Sequence, residues 1–192
     1  MDSNSSAEER PSGIRRRWQN LHVGIWLPLS GVVIWILLIL AIQIISPNPT
    51  IDSMPDNCPE NSMNCVRVSN DGTSFRAGEL EPPMMNATTQ EVDQVIKTWL
   101  IDHRGGEILE SQSENGEYFM HGKDKTNFLY FTDDVLTFSS CEENENRTIV
   151  TIQSQSRLGV GDLGVNHERI SSLISYLNSH QWSGNSCNNN SI

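Results

Sequence analysis

The chain has 192 residues, of which 13 are Lys or Arg and 24 are Asp or Glu, so its net charge is −11 at pH 7. This length suits one modest domain with an additional segment and leaves no room for a second domain. An acidic chain without a basic stripe gains nothing from releasing the counterions of phosphate groups. We therefore expect no nucleic-acid partner.

The first element along the chain is an apolar block of 23 residues, 23–45, that contains no charge. A helix of this length, rising about 1.5 Å per residue, crosses a hydrocarbon core of roughly 30 Å. We predict a single transmembrane helix that contacts membrane lipid over residues 23–45. A cleaved signal peptide is the alternative, but the block is longer than a usual signal core and no small-x-small cleavage site follows Gln43.

The charges that flank this block predict its orientation. Four arginines lie within residues 10–17, whereas the first basic residue after the block is Arg67. The positive-inside rule then places residues 1–22 in the cytoplasm as a tail and the later residues outside it, in the periplasm, a lumen or the cell exterior. The region after Ser46 has nine basic and 21 acidic residues, a net charge of −12. This charge favours cationic ligands, metal ions or a basic protein surface, or serves solubility alone.

All four cysteines, Cys58, Cys65, Cys141 and Cys187, follow the apolar block. An oxidising compartment makes disulfides the natural interpretation. Three pairings are possible, and the short loop between Cys58 and Cys65 makes these two the most local choice, which leaves Cys141 with Cys187. None of the five histidines lies at ligand spacing from another His or Cys, so we expect no metal site, and we expect no cofactor.

Turn residues and hydrophobic periodicity divide the rest of the chain. We interpret residues 46–74 as a linker with a cysteine-pinned turn, 75–182 as an α+β domain and 183–192 as a flexible tail. Apolar spacing predicts a helix from Thr89 to Asp102, capped by Thr89, and another from Asn166 to His180, capped by Asn166. Between the two helices we predict five strands, over residues 107–112, 118–120, 127–131, 134–138 and 147–156.

The last two strands are expected to pair antiparallel, because only a short turn connects them. The predicted fold class is therefore α+β, with an antiparallel sheet of about five strands covered by two helices and preceded by one transmembrane helix.

The segment from Gln153 to Arg169, which joins the last strand to the last helix, carries the most distinctive residues. Gly159, Gly161 and Gly164 fit the G-x-G-x-x-G pattern of dinucleotide sites. We reject that function because no second parallel strand can follow the helix.

The polar residues of this segment have two interpretations. They are Ser154, Ser156, Arg157, Asp162, Asn166 and Arg169. In the first, they form a structural staple, with Arg157 bound to Asp162, Arg169 sharing that acceptor or binding a carbonyl, and the serines donating to loop carbonyls. In the second, Arg157, Asp162, Asn166 and Arg169 converge on a small polar ligand.

Three runs of sequence carry a family resemblance: CPENSMNCV from Cys58, FTDDV from Phe131 and SQSRLGVGDLGVNHER from Ser154. Together they resemble a family known only as domain of unknown function number 1499, over about residues 58–180. The chain departs from the family pattern by one additional residue and Met63 in the cysteine turn, and by Thr132 in place of proline. The resemblance implies a small envelope, secreted or organelle-associated domain, and it implies no activity.

No catalytic set accompanies these motifs. Asp133 and Asp134 are adjacent, so a strand turns their carboxylates to opposite faces and they cannot act on one substrate bond. Our leading hypothesis is a single-pass, membrane-anchored, extracytoplasmic binding or assembly module, such as an accessory subunit of a membrane or envelope complex. The alternative is an extracytoplasmic enzyme that acts on a small polar substrate at the 157–169 loop through Asp162, His167 and Arg169.

A membrane-protein partner is a further hypothesis for the apolar block itself. Small and polar residues there, Gly24, Ser30, Gly31 and Gln43, are of the types that pack against a neighbouring transmembrane helix.

Overall fold

The computed structural model describes residues 13–46, 48–126, 130–142, 144–159 and 161–187, with side chains from residue 26 onward. Contacts divide the chain into two units, one ending at Ile42 and one beginning at Gln43. Helix α1, Gly13–Ile45, is a 33-residue helix with Pro28 inside it. It is long and apolar enough to span a membrane over Trp26–Ile45, a property that it shares with signal sequences. Residues 13–22, which we assigned to the tail, are helical, and residues 1–12 lie outside the described part.

The second unit is an α+β domain built on a six-stranded antiparallel sheet, which confirms the predicted fold class. The strands are β1 (Cys65–Val68), β2 (Met84–Met85), β3 (Glu107–Glu114), β4 (Glu117–Lys125), β5 (Thr132–Glu142) and β6 (Arg147–Ser156). Their order across the sheet is β1-β6-β5-β4-β3, and β2 pairs with β6. The predicted antiparallel pairing of β5 with β6 is confirmed.

One predicted strand is wrong, and two observed strands, β1 and β2, were not predicted. Tyr130 and Phe131 are not in a strand, and β5 begins at Thr132, so the predicted strand over 127–131 is wrong there; residues 127–129 lie outside the described part. β1 lies in the range that we interpreted as a linker. It has only four residues, all buried, and the charged Arg67 interrupts its apolar pattern.

The two helices of the domain are α2 (Thr89–Thr98), which continues into a π-helical turn (Trp99–His103), and α3 (Val165–Ser179). Both predicted caps are wrong. Thr88 caps α2 by accepting a hydrogen bond from the Glu91 amide, and the Thr89 hydroxyl instead donates to Gly116 O at 2.6 Å. Gly164 occupies the cap position of α3 with φ 87°, so Asn166 lies inside the helix.

The core lies between the helices and one face of the sheet, which we call the helix face. Strand residues Met120, Val135 and Ile152 pack there against Ile96 and Leu173 of the helices. Burying these side chains supplies the main driving force for folding the domain.

The opposite face of the sheet is also buried but is much more polar. It carries His121, Asp134 and Gln153. The segment before β1 contacts this face, since Pro55 O accepts a hydrogen bond of 2.7 Å from Arg67.

The cysteines form two pairs at disulfide distance. Cys58 joins Cys65 at the start of β1, and Cys141 near the end of β5 joins Cys187. Part of the region that we interpreted as a tail is therefore tied to the sheet, and Ser183 also bonds the Glu91 carboxylate through its amide at 3.0 Å. Residues 188–192 lie outside the described part.

Candidate functional site

The site is organised by two adjacent aspartates in β5 that point to opposite faces of the sheet. Asp133 faces the helices and accepts a hydrogen bond of 2.6 Å from Arg169 Nη2. Asp134 faces the other way, where it binds Arg157 Nη2 at 2.6 Å and His121 Nε2 at 2.8 Å. This division follows from the two-residue alternation of a strand, as the sequence predicts.

On the helix face, Arg169 is the centre of a buried network. Its Nε donates to Asp124 Oδ2 at 2.8 Å, and its Nη1 donates to Ser154 Oγ at 3.0 Å and to Asn166 Oδ1 at 2.7 Å. With the bond to Asp133, four of the five guanidinium N–H groups have partners. The Arg169 side chain is 1% exposed, so this charge is paired inside the protein.

Asn166 connects this network to the turn before β1. Its Nδ2 donates to Asn64 O at 2.8 Å and to Ser156 Oγ at 3.1 Å, and its Oδ1 accepts from Ser154 Oγ at 2.8 Å. The two serines therefore bond the Asn166 side chain, and the prediction that they donate to loop carbonyls is wrong. The side chain of Asn64 in turn donates to the carbonyl of Ser156.

Asp162 caps α3. Its carboxylate accepts hydrogen bonds from the amides of Asn166, at 3.0 Å, and Gly164, at 3.3 Å, and lies 3.4 Å from Arg76 Nη2. Burial alone would raise the pKa of Asp162, but the two amides and Arg76 outweigh it and hold the pKa below its usual value. The charged form of Asp162 thus stabilises the start of α3.

The predicted ion pair between Arg157 and Asp162 is replaced by pairs with other partners. Ser156 is opposite Asp133 in the β5–β6 register, so Arg157 leaves the end of β6 on the other face, beside Asp134. Its Nη1 also donates to Asn48 Oδ1 at 2.7 Å. Arg157 therefore holds the start of the loop on one side of the sheet, and Asp162 holds its later part to the start of α3 on the other.

A cavity of about 270 Å³ lies under this loop, beside the end of the sheet. Its walls are mostly apolar and include Phe131, Leu158, Leu163 and Val165. Of the four residues expected to converge on a polar ligand, Asp162 lines the cavity, whereas Arg157, Asn166 and Arg169 do not. The sequence did not reveal these walls, because apolar residues in a glycine-rich loop give no periodic pattern.

Asp133 also lines this cavity, and its two oxygens differ in their partners. Its Oδ2 is paired with Arg169, but its buried Oδ1 has no partner of normal hydrogen-bond geometry in the described part of the chain. Burial raises the pKa of Asp133, and the Arg169 charge and the nearby Ser156 hydroxyl only partly oppose that rise. A buried acceptor without a donor is costly, so it marks a position where a ligand could bind.

The three residues of the enzyme alternative, Asp162, His167 and Arg169, each bind different partners in the structure. His167 Nε2 lies 3.1 Å from Ala77 O, Arg169 is bound to Asp124 and Asp133, and Asp162 caps α3. No group of three His, Cys, Asp or Glu residues suited to a metal ion occurs among the residues that the structure describes.

Three further residues of the site were not identified from the sequence: Asn64, Arg76 and Asp124. Asp124 is opposite Asp133 in the β4–β5 register and is 1% exposed, with Arg104 as a second partner at 2.6 Å. The signal for it is weak, because it depends on knowing that Asp124 shares a strand face with the core residue Met120.

Comparison with known proteins supports the family and gives no activity. The chain belongs to the family described as Protein of unknown function (DUF1499), whose model matches residues 56–177. The match begins just before Cys58 and ends within α3, so it contains both aspartates of β5 and the whole 157–169 loop. No curated protein and no solved structure matches the chain.

Proposed function

We propose that this protein is a single-pass membrane protein whose domain after residue 46 is an extracytoplasmic binding module. The observation that carries the proposal is the cavity under the 157–165 loop, which has mostly apolar walls and a buried Asp133 oxygen that receives no hydrogen bond of normal geometry from the described residues. The polar side chains around it bind one another, and none of those described is arranged as a nucleophile with its base. The site is therefore suited to holding a molecule and not to transforming it.

Support for membrane anchoring comes from α1. Its described apolar side chains are largely exposed, among them Trp26, Leu27 and Ile44. A continuous apolar surface of this extent requires lipid or a protein partner. The arginines before the apolar block favour a cytoplasmic N-terminus, and the two disulfides favour an oxidising compartment for the domain.

Support for binding comes from the side-chain contacts that hold the cavity's frame in place. Arg157 is held by Asp134, Asp162 is held by α3, and Asn166 ties the loop to Asn64. A site that is formed before the ligand arrives loses less conformational entropy on binding. The cavity is just below the roughly 300–1,000 Å³ of typical ligand pockets, which favours a small ligand or one part of a larger molecule.

Topology can be tested with cysteines introduced at Ser5 and Glu110 of the full chain, labelled in intact cells by a membrane-impermeant maleimide. We expect Glu110→Cys to react from outside and Ser5→Cys to react only after permeabilisation. The reverse pattern would show the opposite orientation. A mature protein that lacks its N-terminal residues would show that α1 is a signal peptide.

Binding can be tested by purifying the full chain from native membranes in mild detergent and identifying the small molecules that accompany it. Leu158→Arg fills the cavity, whereas Ile101→Arg alters an exposed apolar residue on the π-helical turn and serves as the matched control. We expect a molecule that accompanies the wild type and the control but not Leu158→Arg. Identical small-molecule profiles in all three would contradict a binding function at this cavity.

A further inference from the structure

We infer that the cavity under the 157–165 loop binds an uncharged or cationic amphiphile, whose hydrocarbon part lies between the apolar walls and whose head donates a hydrogen bond to Asp133. The heads that fit are a hydroxyl, an amine or an amide N–H; carboxylates and phosphates are excluded. This inference rests on the binding function proposed above and specifies the chemical class of the ligand.

The acceptor on Asp133 sets the chemistry of the head group. Asp133 is 1% exposed, and among the residues that the structure describes only the nearby Ser156 hydroxyl acts on its second oxygen, Oδ1, without a hydrogen bond of normal geometry. A ligand hydroxyl or N–H would replace the hydrogen bond that this oxygen lost on leaving water. A water molecule is a poorer occupant, because a stable buried water needs two to four polar partners and most of this wall is apolar.

The charges around the cavity exclude an anion. Two carboxylates, Asp133 and Asp162, line it, and their arginine partners are already committed. Arg169 is bound to both Asp124 and Asp133, and Arg76 is paired with Asp162. An anionic head would therefore be buried beside carboxylates without a cation of its own, which is unfavourable.

The exposure and backbone conformation of Leu163 support the inference that the ligand has a hydrocarbon part. It lies at the cavity and is fully exposed, at 102%, with φ 52°. The left-handed conformation costs a residue with a Cβ roughly 1–2 kcal/mol, and an exposed leucine recovers none of this by burial. Strained residues cluster at functional sites, and the Leu163 side chain, which borders the cavity, can close over an apolar ligand.

The test uses alkyl diazirine probes of equal chain length that end in a hydroxyl, an amine or a carboxylate, with the full chain in phosphatidylcholine nanodiscs. Trypsin releases residues 158–169 as one peptide, so the label at the loop can be read by mass spectrometry. We expect the hydroxyl and amine probes to label this peptide about tenfold more than the carboxylate probe, a ratio that reflects the cost of burying a like charge. Equal or stronger labelling by the carboxylate probe would overturn the inferred ligand class while leaving a binding function in place. No labelling by any probe would overturn both.

Two variants identify the residues responsible. Asp133→Asn should weaken the preference against the carboxylate probe, with Asp162 still lining the cavity, but it also breaks the pair with Arg169 and can unfold the domain. Leu163→Gly is not expected to unfold the domain, because the leucine side chain that it removes is fully exposed. We expect it to lower labelling by the hydroxyl and amine probes severalfold with an unchanged or raised melting temperature, whereas Ile101→Ser leaves labelling unchanged. Undiminished labelling of Leu163→Gly would contradict the placement of the hydrocarbon part.

The ligand could come from the membrane or from solution, and a fourth probe distinguishes the two. A diazirine-bearing diacylglycerol has the same hydroxyl head without a phosphate but remains in the bilayer. Labelling of the 158–169 peptide by this probe supports a membrane lipid as the ligand. Labelling by the single-chain hydroxyl probe alone supports a soluble amphiphile.

Discussion

Asp133 and Asp134 are neighbours in β5, yet their carboxylates bind arginines on the two sides of one loop: Arg169 in α3, on the helix face, and Arg157 after β6, on the opposite face. The residues on the two sides of this loop are therefore held by ion pairs on opposite faces of the sheet. These ion pairs account for the close spacing of charges in this part of the sequence. The cavity lies beneath the loop, beside the end of the sheet.

Removal of the Arg169 charge should be strongly destabilising. Arg169→Met keeps much of the side-chain volume but leaves Asp133 without its charge partner and deprives Asp124 of one of two. Breaking a buried pair from one side costs about 3–5 kcal/mol, because the remaining charge stays buried. We expect a loss of this size in the free energy of unfolding of the full chain, measured with urea.

Lys123→Ala is the control for this loss. Lys123 pairs at 2.9 Å with Glu107, whose side chain is largely exposed, and pairs of that kind contribute at most about 1 kcal/mol. Similar losses for Arg169→Met and Lys123→Ala would show that the Arg169 network does not hold the domain together.

Substitutions of Leu163 and Gly164, which are adjacent in one loop, should change the stability of the domain in opposite directions. Both have positive φ, 52° and 87°. Leu163→Gly relieves strain of roughly 1–2 kcal/mol and adds roughly 0.5–1 kcal/mol of chain entropy to the unfolded state, so we expect a small net gain in stability. Gly164→Ala introduces the strain, since space for the new Cβ is open and only the conformation opposes it.

Thermal unfolding of the two variants tests whether Leu163→Gly stabilises the domain and Gly164→Ala destabilises it. We expect the melting temperature of Leu163→Gly to rise or stay level and that of Gly164→Ala to fall by several degrees. A fall for both would mean that the Leu163 side chain stabilises the loop through contacts of its own, which would remove the strain argument for its role in binding.

The sequence predicts those parts of this fold that depend on local periodicity. β6 was predicted with its observed bounds because ten residues alternate without interruption, and α3 was predicted to within one residue at each end. β1 was missed because four residues around a buried arginine do not produce a recognisable alternation. The prediction that Asn166 caps α3 was wrong because its side chain is hydrogen-bonded to Asn64 and Arg169 and not to the amides at the start of the helix.

The candidate site was predictable in its location but not in its partners. The loop between β6 and α3 stands out by composition, yet the partner of Arg157 depends on which face of the sheet it leaves, and Asp134 is 23 residues away in sequence. The cavity depends on side chains from β5, the loop and α3 that meet only in the folded domain. Non-local contacts of this kind carry no signal in a single sequence.

The two disulfides should differ in their contribution to stability. Cys141 and Cys187 are 46 residues apart and Cys58 and Cys65 are seven apart. The chain-entropy model gives about 4 kcal/mol for the longer loop and about 2.5 kcal/mol for the shorter one. We expect the double variant Cys141→Ala/Cys187→Ala to lose more unfolding free energy in urea than Cys58→Ala/Cys65→Ala. An equal or reversed order would show that contacts of the Cys58 turn in the folded state outweigh loop length.

The loop after β1 should respond to acid through Asp71. Hydrogen bonds from Thr73, and then from Ser69, lower the pKa of Asp71 from 3.8 to about 2. Because the folded pKa lies below the unfolded one, the stabilisation is present above pH 3.8 and is lost as the pH falls towards about 2. The Asp71 side chain is half exposed, so we expect a local loosening of the loop in that range and not unfolding of the domain.

Carboxyl NMR titration of Asp71 measures this shift directly. Thr73→Val removes the hydroxyl that lies 2.5 Å from Asp71 Oδ1 and should raise the pKa of Asp71 towards its usual value, whereas Thr73→Ser keeps the hydroxyl and should leave the pKa low. If Thr73→Ser raised the pKa as much as Thr73→Val, the methyl group of Thr73 and its packing, and not the hydrogen bond, would control the ionisation of Asp71.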